Sequence, residues 1–377
     1  MQAGNLDFSH KRFAAPHTLA VGRFLCYNTG TMSTSTQSEV GRKSRNVGVD
    51  LLRILMAIAV VGCHCFVKDR TQAVSFAVPV FMTLAFFFAG DWLVEGRVAK
   101  LKSRMVRICL PFVVWALFAL VIDRIWLGGA LAKDCYGGDA TWRSFAIHLV
   151  GGTALANNMQ MWFIGNLMWL TPIFFLLLRP FRGKLPRWTI AAVGALAVMA
   201  QYSGLNKWLW DFVPEFGIRV PGGRLLEMVP YCCVGLLAWS FKDRFAGFAS
   251  ALKLKIALVS LALFIFLSYF KLFISCPGFS YSGLHRASLC MTAIGVFYFF
   301  PFERLPAWIS RVIGVVAAYS MGVYMTHVVI VRFCEKYVFS AVGIAPKTLV
   351  ETLTVFVVSW IFCFLLARIP ACRRLVV

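Results

Sequence analysis

Apolar runs of membrane-spanning length recur from residue 47 to residue 368, separated by polar loops. A bilayer core requires about 20 predominantly apolar residues of a crossing helix. The pattern therefore predicts about ten transmembrane helices, near 47–67, 73–94, 106–127, 160–178, 189–203, 224–241, 252–271, 284–302, 311–331 and 348–368. The fifth is the shortest. No ten-residue alternation of the kind that builds membrane barrels is present. The expected fold is an all-α polytopic membrane protein.

Residues 1–46 are polar and mixed, with TMSTSTQSE in the middle and RKSR near the end, and read as a disordered tail. They contain no apolar core of a signal peptide. Met32, followed by STSTQSE, reads as an alternative start that would leave residues 1–31 untranslated. The expected organisation is a tail at 1–46, one integral membrane domain at 47–370 and a cytoplasmic tail at 371–377.

Charge then orients the spans. The chain has 38 Lys and Arg against 16 Asp and Glu, a formal net charge of +22. Such an excess invites a nucleic-acid reading, but the cations are not gathered in one patch. They sort into alternate loops: Arg42, Lys43 and Arg45; Arg97, Lys100, Lys102 and Arg104; Arg179, Arg182, Lys184 and Arg187; Lys242, Arg244, Lys253 and Lys255; Arg304 and Arg311; and Arg368, Arg373 and Arg374. Basic loops stay in the cytoplasm. Both termini are therefore expected to be cytoplasmic, which an even number of spans requires, and no nucleic-acid partner is expected.

The composition is 60% hydrophobic and 14% charged, with a mean hydropathy of +0.75. The 12 cysteines form no C-x-x-C pair and mostly fall inside spans, where they act as small apolar residues. Cys135, Cys276 and Cys334 fall in or beside outer loops, where pairing stays open. Two outer segments, 128–159 and 204–223, are longer than connectors need to be. They are read either as interfacial anchors or as surfaces that meet a partner.

The first span, VDLLRILMAIAVVGCHCF, contains Asp50, Arg53 and His64. Eleven residues at about 100° each bring Arg53 and His64 onto one face, roughly 16 Å apart along the axis. Asp50, three residues before Arg53, approximately shares that face and is placed to pair with it. Snorkelling to the two interfaces accounts for each residue singly. It accounts less well for a shared polar face, which should turn towards the bundle interior, where ionisable groups are functional candidates.

This span closely resembles the opening span of the acyltransferase-3 family, whose hallmark is an Arg or Lys, ten residues, then His, as in Arg53 to His64. KSRMVRICLPFVVW is similar to the family's Arg-x-x-Arg before Leu-Pro, here Arg104 and Arg107. MWFIGNLMW, RLLEMVPYCCVGLLAW and YSMGVYMTHVVIV resemble later family segments in the right order. FFFAGDWLV departs from the pattern, with Ala89 in place of a serine and Asp91 in place of an aromatic; Asp91 is read as a partner for Arg104 or Arg107.

The resemblance implies a membrane-embedded O-acyltransferase, transferring groups other than aminoacyl groups. It would move an acyl group, acetyl above all, from cytoplasmic acyl-CoA to a hydroxyl of a sugar or cell-envelope glycan. It implies a multi-pass protein of the inner (plasma) membrane, in contact with membrane lipid, with acyl-CoA as donor substrate and no permanently bound cofactor or metal.

In that frame His64 is the catalytic base, since a neutral imidazole offers a nitrogen to the hydroxyl proton. Arg104 and Arg107 share a helix face and, with Arg53, would grip the phosphates of acyl-CoA through forked donors. Positive-inside anchoring is the plainer reading of the same arginines. Glu227 is read either as an orienting carboxylate at the depth of His64 or as a rim partner of Arg224. His327 is read as an interfacial histidine, a glycan contact or a second polar partner. Cys63 and Cys65 each turn about 100° from His64 and are poorly placed nucleophiles. A transporter of a lipid-linked sugar or an anion is the alternative function, its charged residues acting as gates; a non-catalytic scaffold is the third.

Overall fold

The computed structural model describes residues 46–65, 76–126, 161–181, 183–202, 222–273, 290, 293–298, 305–339, 341 and 348–376. The tail at 1–45, both long outer segments, Cys135, Cys276 and most of the expected eighth span lie outside the described residues. Helices and turns account for the rest, with no strand among the described residues.

The first helix, α1 (Val47–Cys65), is opened by Asn46. The Asn46 side-chain oxygen accepts from the Val49 N–H at 3.0 Å, and its amide donates to the Tyr298 carbonyl at 2.9 Å. One residue thus caps the helix and ties it to a distant segment. Next come α2 (Ala77–Phe87), α3 (Gly90–Val94), α4 (Val98–Trp126) and α5 (Trp162–Leu178), the last closed by a 3-10 turn at Arg179–Phe181. They are followed by α6 (Arg187–Tyr202), α7 (Gly222–Ser240), α8 (Lys242–Gly247) and α9 (Ser250–Phe273). The chain continues with α10 (Ala307–Ala318), α11 (Ser320–Phe333) prolonged by π-helical turns at Cys334–Phe339, α12 (Leu349–Leu366) and α13 (Arg373–Val376).

Among the described residues, four helical stretches are long and apolar enough to cross a membrane: Val47–Cys65, Val98–Ile122, Trp162–Phe181 and Leu349–Leu366. A fifth arises if Ala307–Ala318 and Ser320–Phe339, bent by 55° against each other, form one broken span. The other described apolar helices are shorter, at Ala77–Phe87, Arg187–Ala200 and Leu225–Ser240. The expected second span is divided because the Ala89 N–H bonds the Phe86 carbonyl three residues back, tightening the helix end before α3 begins. The expected ninth span starts earlier than 311 and bends at Tyr319. Large apolar side chains such as Leu176, Val357 and Leu365 stand exposed on outer faces, the surface a bilayer covers.

Two packing centres organise the bundle. In one, α2 packs closely on α7, which also carries α6 and α5. Ala77, Met82, Thr83, Phe86 and Phe87 are all buried, so α2 is a core helix. Gly235 permits the close crossing: a Cβ there would run into the Thr83 carbonyl, with the Phe87 nitrogen at 3.0 Å and Phe86 Cβ at 3.1 Å. In the other, α1 packs on α10, α11 and α12 around Ala57, Val61, Val323 and Val355. The two centres meet where α1 touches α2. The last turn, α13, folds back so that Val376 is buried and the Trp115 indole donates to the Leu375 carbonyl at 3.0 Å.

Between α3 and α4, Gly96 adopts φ 67°, its N–H bonding the Leu93 carbonyl at 3.2 Å while the Arg97 N–H bonds Trp92 at 3.0 Å. This is the Schellman arrangement, for which a left-handed residue is needed. It redirects the chain into α4 and so aims the first turns that carry Arg104 and Arg107.

Candidate active site

On α1 the three-residue spacing brings Asp50 and Arg53 together near the start of the helix, as expected. Asp50 is buried, and its carboxylate lies 3.9 Å from the Arg53 guanidinium, whose side chain remains 40% exposed. Three turns on, His64 is exposed on the last turn, while Val61 and Cys65 beside it are buried against α11 and α12. The helix thus presents an imidazole to accessible space from an otherwise packed end.

Behind His64 stands His327 of α11, 0% exposed, with ring centres 5.0 Å apart and planes tilted by 56°. His327 Nδ1 lies 2.8 Å from the Tyr324 carbonyl and 3.2 Å from that of Val323. Carbonyl oxygens only accept, so Nδ1 carries the proton. Nε2 is buried and has no hydrogen-bond partner among the described residues.

Five residues beyond His327, Arg332 acts electrostatically on His64 and pairs with Glu335 at 3.1 Å. The π-helical turns begin here, a local widening often found at functional sites.

The sequence reading missed Glu351 and Thr352. Both are buried at the start of α12, close enough to the Cys65 thiol to act on it electrostatically, and the Thr352 hydroxyl donates to the Thr348 carbonyl at 3.2 Å. The signal was available: Thr348 accepts the Glu351 N–H at 3.2 Å, the Thr-x-x-Glu pattern of a capping box.

At the start of α4 the two arginines diverge. Arg104 turns inward: its guanidinium donates to the Ala85 carbonyl at 3.2 Å, lies 5.8 Å from the Trp92 ring centre, and keeps a buried Nε with no partner among the described residues. Arg107 is exposed, its Nε donating to the Ser103 carbonyl at 3.3 Å. The expected pairing of Asp91 with either arginine is not made. Asp91 Oδ1 instead accepts from Trp239 Nε1 at 2.9 Å and Lys242 Nζ at 3.0 Å, because α3 packs against α7 and presents the carboxylate to its end.

α1, which carries Arg53, packs chiefly on α2, α10, α11 and α12, and α4, which carries Arg104 and Arg107, chiefly on α5 and α13. Glu227 is buried on α7, whose main neighbours are α2, α6 and α5 rather than α1. The side chain of Arg224 lies outside the described residues. Cys334 is a buried free thiol. Among the described residues no group of three His, Cys, Asp or Glu could hold a metal ion.

Residues 46–368 match the family of the acyltransferase domain, which covers nearly the whole chain, and the chain belongs to that family. Neither the curated proteins nor the solved structures yield a match. A helical membrane protein of an acyltransferase family, with an accessible imidazole at one end of a polar helix face, is thereby defined.

Proposed function

We propose that this protein is an acyl-CoA-dependent O-acyltransferase of the inner membrane, transferring an acetyl group to a hydroxyl of a sugar or cell-envelope glycan. The observation that carries this reading is the accessible His64 packed at 5.0 Å against the buried His327, at the far end of the helix face that begins with Asp50 and Arg53. In this reading both termini are cytoplasmic and the chain crosses the bilayer about ten times, as the alternation of basic loops favours.

Acyl transfer from a thioester to a hydroxyl requires a base and a way to hold the donor in line. His64 takes the hydroxyl proton on its free ring nitrogen as the acceptor oxygen attacks the thioester carbonyl. The C–O bond forms, the C–S bond breaks, and the departing CoA thiolate receives the proton back from the imidazolium. No covalent enzyme intermediate is needed.

Arg104 and Arg107 serve the donor. The Arg104 Nε, unpaired among the described residues, and the exposed fork of Arg107 are suited to phosphate oxygens. Arg53, roughly 16 Å from His64 along α1, lies along the course of the pantetheine arm.

Purified protein in liposomes, supplied with radiolabelled acetyl-CoA and candidate glycans, tests the proposal. Label on the glycan, lost in His64→Ala at unchanged protein level, is the expected result. Flux of glycan or anion without acyl transfer would replace it with a transporter.

A further inference from the structure

We infer that His327 is a positioning residue that fixes the tautomer of His64 by accepting a hydrogen bond from one of its ring nitrogens. The catalytic part of this inference rests on the acyl-transfer reading above; the hydrogen bond itself does not.

The anchoring of His327 leaves it one role. Its Nδ1–H is committed to carbonyls three and four residues earlier on its own helix, at 2.8 Å and 3.2 Å. The opposite edge of the ring, with Nε2, therefore points away from α11 towards neighbouring helices. Nε2 is a lone-pair acceptor, wholly buried, with no partner among the described residues. A buried polar atom left without a partner is costly, so it calls for a donor.

The donor at hand is His64. Its ring centre lies 5.0 Å away. Two imidazoles joined by N–H···N have centres about 5 Å apart, taking about 2.9 Å between nitrogens and about 1.1 Å of ring on each side. The separation suits the bond, and the 56° between the ring planes does not oppose it; a rotation of the His64 side chain that aims one N–H at Nε2 completes it. His64 stands on the final turn of α1 and is exposed, so its ring has room to turn, whereas His327 does not.

With one N–H given to His327, the second His64 nitrogen carries its lone pair towards accessible space, where a hydroxyl would approach. The other tautomer would set a proton there and block the base. When His64 is protonated during transfer, the same acceptor holds the imidazolium in place.

The test begins on the unaltered protein. With 15N-histidine in lipid bilayers, the expected spectrum shows a scalar coupling across an N–H···N bond between two rings, one of them absent from His64→Ala. His327→Phe should release His64 into mixed tautomers and lower kcat about 10²-fold with KM nearly unchanged. His327→Gln, which restores an acceptor, should recover part of both. Absence of the coupling in the unaltered protein, or a single unchanged His64 tautomer in folded His327→Phe, overturns the inference. Absence of acyl transfer with the coupling present would overturn the enzymatic reading and leave the hydrogen bond standing.

Discussion

The indole of Trp239 donates to Asp91 at 2.9 Å while its ring covers Gly90, so that α3 and α7 are joined at one edge of the bundle. Lys242 reaches the same carboxylate oxygen at 3.0 Å and lies 5.1 Å from the Trp239 ring centre. One carboxylate thus fixes a helix end by two donors.

Asp91→Asn keeps an acceptor for Trp239 and should cost well under 1 kcal/mol, because the Lys242 pair is partly exposed, at 29% and 57% of the two side chains. Asp91→Ala removes both bonds and should cost about 1–2 kcal/mol. Thermal unfolding of the purified variants in detergent measures the difference, and equal losses would show that Trp239 does not depend on the carboxylate.

Gly235→Ala should destabilise the bundle by about 1–3 kcal/mol, since the new methyl meets the Thr83 carbonyl and the Phe87 backbone nitrogen, neither of which can turn aside. A lowered midpoint of thermal unfolding, with the oligomeric state unchanged, is the expected outcome.

His64→Ala should lower acyl transfer by about 10²- to 10⁴-fold, the usual share of a general base. Because the His64 side chain is exposed, the protein level and unfolding midpoint should stay close to those of the parent. Radiolabel transfer to glycan in liposomes reads the rate.

Arg104→Ala together with Arg107→Ala should weaken acyl-CoA binding, and the loss should shrink as ionic strength rises and screens the charge. The single variants should separate: Arg104→Ala also gives up its bond to Ala85 and should lose stability, whereas exposed Arg107→Ala should not. Unchanged affinity in a folded double variant would reduce both residues to topological anchors.

Much of this arrangement was legible in the chain. The Asp50–Arg53 pair follows from a three-residue spacing on a helix, because both residues belong to one rigid element. The described helices follow the apolar runs in order, because apolar length is a local property. Asp91 was read correctly as a carboxylate in need of a cation but assigned to the wrong one. Its neighbours in the chain carry arginines, yet α3 turns its carboxylate towards Lys242, about 150 residues away. The bend at Tyr319 coincides with no Pro or Gly. Glu351 was overlooked because its burial near Cys65 depends on how α12 packs against α1, which its own helix does not reveal.

The sequence by itself determined the helical membrane class, the family and the polar face that runs from Asp50 to His64. The class and the face depend on length, composition and residue spacing within single helices; the family rests on segments that resemble its motifs in order. Only the tertiary structure decided that His64 meets His327, that Glu227 stands on a helix whose chief neighbours are α2 and α6, and that Arg104 turns inward while Arg107 does not. Local sequence governs how far along its axis a side chain lies; the direction it faces and the helix it meets are settled by packing between segments far apart in the chain.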